Sequence, residues 1–412
     1  MKNVILLFNI FLFSLVSGQR MCGTSQKMEE FYQKNPEVRS YAKELRAFLV
    51  NPNNLKKTNR SSNIVTIPVV VHVLYKNSTQ NISDAQIQSQ ISVLNQDFRK
   101  LNSDFSSVVP AAFQPFGADL EIAFCMATKD PNGVATNGIV RKSVPTTFDF
   151  ENEYYESTGD LAWDPNKYLN IWIGAFDNPD LLGFAYLPEG AAGQPFDGLA
   201  IGYQYFGTIG TVNSPYNGGR TATHEIGHYL GLLHPWGDDG SACGTPANDD
   251  GVADTPATNR WYFDCPTYPD NIYTCTSTPD GAMFMNFMDY VNDSCMAFFT
   301  NGQKTITRNV LSGPRASLLN SNGCQTLSLT EIEKIEAIKL FPNPSTQFIS
   351  VSSPMIAVDE VEVFDSSGKL VLAKSNLKIQ EKIDIKRLSL GIYYIRIYSK
   401  GNLLKSDKFI KQ

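Results

Sequence analysis

His224-Glu225-Ile226-Gly227-His228-Tyr229-Leu230-Gly231-Leu232-Leu233-His234 holds three of the chain's four histidines in one short run. Residues four apart on an α-helix share a face, about 6 Å apart along the axis, so imidazoles at 224 and 228 can converge on one ion. His234 follows His228 by six positions, a rotation of roughly 240°, and in an unbroken helix would point away. Gly231 removes the conflict, because a glycine adopts positive φ, ends the helix and lets the chain return His234 to the ion. Three neutral nitrogen donors suit Zn²⁺ and leave its fourth position to water, as in a catalytic rather than a structural site. Glu225, beside the first ligand, is placed to take that water's proton and pass it on to a leaving amine. The run therefore predicts a helix over about 220–232 that stops above a metal.

Upstream, Ile67-Pro68-Val69-Val70-Val71-His72-Val73-Leu74-Tyr75 reads as a buried strand, with His72 a core histidine. Ile87, Ile91, Leu94 and Phe98 recur at helical spacing behind Ser83 or Asp84, either of which can cap that helix. Further strands fall at about 120–127, 168–174, 183–187 and 198–203. Strands followed by helices predict a mixed α/β (α+β) domain, a twisted sheet backed by helices. After a linker at 326–339 the pattern changes to period-2 alternation with short turns, as in Phe348-Ile349-Ser350-Val351-Ser352 and Ile392-Tyr393-Tyr394-Ile395-Arg396-Ile397. That predicts a small all-β sandwich of immunoglobulin-like type over 340–412.

The 412 residues are 42% hydrophobic and 18% charged, a globular composition for two folded units plus processing segments. A net charge of −6 argues against a nucleic-acid surface. Between Asn217 and Thr300 stand eleven acidic residues against Arg220 and Arg260, a stretch that should attract cations. Lys2, the apolar run from Val4 to Val16 and the small-residue end Ser17-Gly18 predict a cleavable secretory signal over 1–18; the run is short for a membrane anchor, which is the alternative. Residues 19–62 read as a pro-segment, helical from Lys27 to Val50 and breaker-rich after it, the alternative being a flexible extension. The catalytic-type domain is expected over 63–325. Of seven cysteines, Cys22 is the natural unpaired one, Cys243, Cys265, Cys275 and Cys295 cluster in a loop-rich region, and Cys125 with Cys324 remain as a third pair.

The histidine run, followed by Met285-Asn286-Phe287-Met288-Asp289-Tyr290, resembles the metzincin metallopeptidases, whose signature is HExxHxxGxxH and a later methionine turn. Within them it is most similar to the pappalysin family, on Gly183-Phe184-Ala185-Tyr186-Leu187-Pro188, Asp250-Gly251-Val252-Ala253-Asp254-Thr255-Pro256 and Met288-Asp289-Tyr290-Val291-Asn292-Asp293-Ser294-Cys295. The resemblance implies an upper subdomain with a twisted sheet, an irregular disulfide-bonded lower subdomain, and proteolysis of protein or peptide substrates by a secreted monomer. It implies Met288 as an apolar floor under the metal, Tyr290 as a metal or oxyanion partner, and Gly183, Phe184, Ala185 and Tyr186 as an edge strand that pairs with substrate. It further implies the bridges Cys243–Cys275 and Cys265–Cys295, which spacing leaves open among three pairings. Structural calcium is implied too, with Asp249, Asp250 and Asp254 as candidate ligands. Asp293 is expected at the floor of the S1′ pocket, favouring Arg and then Lys after the cleaved bond and predicting self-processing before Arg60. Arg20-Met21-Cys22-Gly23 resembles a cysteine switch, in which a thiolate takes the fourth zinc position of a zymogen.

Leu340-Phe341-Pro342-Asn343-Pro344-Ser345 and Leu388-Ser389-Leu390-Gly391-Ile392-Tyr393-Tyr394 resemble the type A sorting domain of the type IX secretion system, which implies that machinery as a partner and passage through the periplasm. A carbohydrate- or substrate-binding sandwich is the alternative for this domain. The rival for the whole chain is a surface adhesin whose zinc site is structural or degenerate.

Overall fold

The computed structural model describes residues 21–54, 64–237, 243, 249–325, 335–353, 356–378 and 381–412. The signal at 1–18, the linker containing Arg60 and most of the linker at 326–339 lie outside the described residues. Strand β1 (Met21–Cys22) leads into helices α1 (Thr24–Lys34) and α2 (Pro36–Leu49). The single helix expected there is broken at Asn35, because Pro36 disfavours helical backbone in the residue before it.

The sheet orders its strands β1-β6-β7-β5-β2-β3, with β4 also on β2, from β2 (Val65–Tyr75), β3 (Ile122–Met126), β4 (Ile139–Ser143), β5 (Leu169–Gly174), β6 (Leu181–Ala185) and β7 (Leu199–Gly202). All its pairings are parallel except β6 with β7. β2 is buried along nearly its whole length, the continuous apolar reading of a central parallel strand. Helix α3 (Asp84–Asp97) is capped by Ser83, whose side chain accepts from Gln86 N at 3.2 Å. One-turn helices α4 (Phe105–Val108), α5 (Phe150–Glu153) and α6 (Pro188–Ala191) lie in the connections. Helix α7 (Arg220–Tyr229) carries the first two motif histidines, and α8 (Asn301–Ser312) follows the methionine turn.

The main core lies on one face of the sheet against α3, α7, α8 and the turn, and it includes Leu45 and Leu49 of α2. The other face is closed by Trp172, Tyr154, Phe150 and Phe184. His72 is fully buried there, with Nδ1 2.6 Å from Asp160 and its ring stacked on Trp172, a core histidine as expected. Among the described residues three disulfides form, Cys125–Cys324, Cys243–Cys275 and Cys265–Cys295, and Cys22 is free. The C-terminal domain encloses a separate apolar core between antiparallel sheets ordered β11-β10-β13-β14 and β12-β9-β8. Its strands are β8 (Lys339–Phe341), β9 (Phe348–Ser352), β10 (Glu360–Phe364), β11 (Leu370–Ser375), β12 (Lys382–Asp384), β13 (Gly391–Ser399) and β14 (Asn402–Lys411).

Candidate metal centre

Helix α7 ends at Tyr229, earlier than its sequence pattern suggests, because Gly231 at φ +84° lies just past the C-cap residue Leu230 and turns the chain away. Gly231 N donates to His228 O at 2.8 Å and Leu232 N to Gly227 O at 2.9 Å, closing the helix end. The turn brings His234 Nε2 to 3.2 Å from His224 Nε2 and 3.1 Å from His228 Nε2, with those two 3.2 Å apart. His224 Nδ1 donates to Phe287 O and His228 Nδ1 to Leu232 O, each at 2.8 Å. A carbonyl only accepts, so both rings carry their proton on Nδ1 and present a bare lone pair at Nε2. Lone pairs facing each other in a buried site repel unless a cation lies between them. Tetrahedral Zn–N bonds of about 2.0–2.1 Å set nitrogens about 3.3 Å apart, close to the separations found here, so the donor set fits zinc.

Cys22 Sγ joins the three imidazole nitrogens, all four atoms lying within 4.8 Å of one another. Strand β1 brings it there by pairing parallel with β6, Cys22 opposite Gly183. Cys22 Sγ donates to Glu225 Oε2 at 3.4 Å, and Thr24 Oγ1 donates to the same oxygen at 3.1 Å. Thr24 Oγ1 in turn accepts from Ala185 N at 3.0 Å. Burial, then the Glu225 carboxylate, pushes the Cys22 thiol well above its ordinary value. A divalent cation among the imidazoles acts in the opposite sense and favours the thiolate.

Met288 is fully buried, and a Cβ at Gly227 would collide with its sulfur, so the methionine lies directly beneath α7. The Tyr290 ring stands 5.7 Å from His224 and 5.1 Å from His234. Trp236 stacks on His234 at 4.5 Å, nearly parallel. Asp293 is buried, and its Oδ2 accepts from Gly218 N at 2.8 Å and Arg220 N at 3.2 Å, placing its charge at the start of α7.

Of the expected edge strand, Gly183 and Ala185 already receive the N-terminal segment, Gly23 N donating to Gly183 O at 2.9 Å. Phe184 is buried and Tyr186 packs edge-on to it, 6.1 Å away. The three aspartates considered for calcium are turned to separate partners: Asp249 to Gly251 N, Asp250 to Val252 N and Thr255 Oγ1, Asp254 to Thr300 Oγ1 and Gly302 N. Sequence reading missed Thr24, Trp236 and Arg220. Thr24 and Trp236 stood close to singled-out residues, but their roles depend on contacts that spacing does not reveal.

A family model described as pregnancy-associated plasma protein-A, a peptidase family, matches residues 153–312, and one described as a secretion system C-terminal sorting domain matches 339–412. An extracellular metalloprotease of Arthroderma benhamiae is 30% identical over 299 residues, 70% of this chain and 89% of that protein; one of Trichophyton verrucosum matches to the same extent. Mature mirolysin of Tannerella forsythia in complex with a cleaved peptide is 46% identical, with a TM-score of 0.59, covering 63% of this chain and 97% of that one. A Tannerella forsythia promirolysin mutant is 41% identical, with a TM-score of 0.65, over 73% of this chain and 97% of the other.

Proposed function

The chain belongs to the pregnancy-associated plasma protein-A peptidases, the pappalysin family of metalloendopeptidases, and ends in a secretion-system sorting domain; from that premise we propose a secreted zinc endopeptidase made as a latent zymogen. His224, His228 and His234 hold the metal. What carries the reading is the convergence of imidazole nitrogens at 3.1–3.2 Å with Nδ1 protons fixed on carbonyls. Zinc, when bound, supplies Lewis acidity to the scissile carbonyl and lowers the pKa of its water to about 7.

Glu225 Oε2 takes the proton of the attacking water and delivers it to the leaving amine. The Tyr290 hydroxyl steadies the oxyanion, and Met288 keeps the floor of the site apolar. In the latent chain Cys22, as a thiolate, takes the place of that water while Thr24 engages the base, and residues 19–62 form the pro-segment. Removal of that segment frees Gly183–Tyr186 to pair with substrate. Asp293, at the floor of S1′, favours Arg and then Lys after the scissile bond, with Arg60 as the self-processing site. Structural calcium at Asp249, Asp250 and Asp254 belongs to the same reading and requires these carboxylates to exchange their present hydrogen bonds for the ion.

The decisive experiment is cleavage of a peptide library by the purified protein. Activity should vanish with a zinc chelator and fall by about 10²–10⁴-fold in Glu225→Ala, with cuts before Arg. Activity that survives both treatments would sink the assignment, and an apolar P1′ preference shared with Asp293→Ala would remove the S1′ part alone.

A further inference from the structure

We propose that Arg220 is a positioning residue for the metal centre, holding Phe287 so that its carbonyl orients the His224 imidazole; this rests on the zinc reading above. Arg220 opens α7 one turn before His224, on the same face of the helix, and is 8% exposed. Its guanidinium is used in four directions. Nη1 donates to Met296 O at 2.5 Å and Nη2 to Asp104 Oδ2 at 3.0 Å, while Nε lies 3.1 Å from Asp97 Oδ2. Its Cζ lies over the Phe287 ring, 4.9 Å from the centroid.

Phe287 is the residue whose carbonyl receives His224 Nδ1–H at 2.8 Å. The backbone on both sides of the methionine turn is tied by Phe287 N donating to Phe298 O and Ala297 N to Met285 O, at 3.0 and 2.9 Å. Arg220 therefore grips one side of the turn through the Phe287 ring and the other through Met296 O. Asp97 fixes the arginine from α3 and also accepts from Thr223 Oγ1 at 2.7 Å, so the helix cannot roll without breaking two contacts. A partner that fixes the far nitrogen of a ligating histidine sets the tautomer and aim of its metal-binding nitrogen. Only a planar fork can serve all four contacts, which a lysine cannot reproduce.

The plain competitor is a buried ion pair that merely supports the fold. Such a pair can be exchanged for apolar groups with little loss of stability, so the two roles separate in Arg220→Met/Asp97→Asn, which removes opposite charges together. The measurements, on the full chain, are zinc release to a competing chelator, the visible spectrum of the cobalt-substituted protein, and the melting temperature. The double variant should release zinc about 10–100-fold more readily and show altered cobalt bands, and Phe287→Leu, which keeps the carbonyl but removes the platform, should move both readouts in the same direction. Folded variants with zinc release and cobalt bands like the parent's overturn the proposal; if the double variant does not fold, an unchanged Phe287→Leu overturns it alone. A parent chain that binds no zinc would refute the zinc reading instead.

Discussion

Two side chains of the N-terminal segment, Cys22 and Thr24, converge on the carboxylate beside the imidazole triad, and together they occupy the oxygen that a general base needs. A hydrogen bond to a charged group contributes about 1.5–3 kcal/mol, so loss of the Thr24 contact should weaken latency roughly tenfold or more, and loss of the Cys22 sulfur as a metal ligand should weaken it further. Precursor carrying Cys22→Ala is expected to cleave a fluorogenic peptide faster than the parent precursor, and Thr24→Val to do so less strongly; a Cys22→Ala precursor as latent as the parent would remove the switch. Asp250 makes a second residue-scale case. Burial, opposed by Thr255 and the Val252 amide, raises its carboxyl to about 7. The folded chain then keeps a proton that the unfolded chain releases near pH 4, so this group's contribution favours folding at low pH and is lost as pH rises to about 7. In calcium-free buffer Asp250→Asn should gain stability relative to the parent between pH 4 and 8, by on the order of 2–4 kcal/mol in denaturant titrations. Saturating calcium should abolish that gain if the carboxylate binds the ion. Cys22 stood out in the sequence as the odd cysteine, and the meeting of His224, His228 and His234 was legible there from helical spacing and a glycine stop. Trp236 on His234 and the Phe287 carbonyl on His224 were not, since no local pattern encodes a ring stack or a carbonyl 63 positions away.

At the scale of elements, the end of α7 is decided by one backbone angle. Gly231 at φ +84° faces Val310, whose Cγ2 would stand 2.8 Å from an added Cβ. An alanine there meets both left-handed strain of about 1–2 kcal/mol and that clash. Gly231→Ala is expected to lower the melting temperature by several degrees and to weaken zinc retention, because His234 depends on this turn; unchanged zinc retention in a folded variant would contradict the geometry. The far side of the same helix end is held by Arg315, whose Nε donates to Tyr229 O at 2.8 Å while Nη1 contacts Asp197 at 2.5 Å. Strand β2 and helix α3 were legible because a β-branched run and helical spacing fill their windows, and β5, β6 and β7 because short apolar runs bounded by glycine or polar residues mark them. Strand β1 was not, being two residues that exist as a strand only by pairing with β6, and β4 alternates too weakly to stand out. Helix α8 did carry a readable signal, the Thr300–Gln303 capping box, reinforced in the fold by Asp254 at its first turn.

For the whole molecule, the two apolar cores have no residue in common. The main one draws on residues from Leu45 to Leu319, whereas that of the C-terminal domain runs from Ile338 to Phe409. The N-terminal helical segment belongs to the first: Leu49 is 2% exposed, Arg46 Nη1 donates to Gly231 O at 2.7 Å, and Asn309 Nδ2 donates to the carbonyls of Leu49 and Asn51. Separate cores imply separate cooperative units, since burial couples only those groups that share a core. Calorimetry of the full precursor should therefore show two transitions. Deleting residues 339–412 should remove one and leave the other within about 2 °C, because a ΔΔG of 1 kcal/mol moves a domain of this size by only about 2–4 °C. Leu49→Ala should instead lower the main transition, at a loss of about 2–5 kcal/mol. The same deletion removes the sorting domain, so the truncated chain should accumulate in the periplasm with its main transition intact. A truncated chain whose main transition falls well below the parent's would show that the sorting domain stabilises the peptidase, and that two independent units are the wrong description.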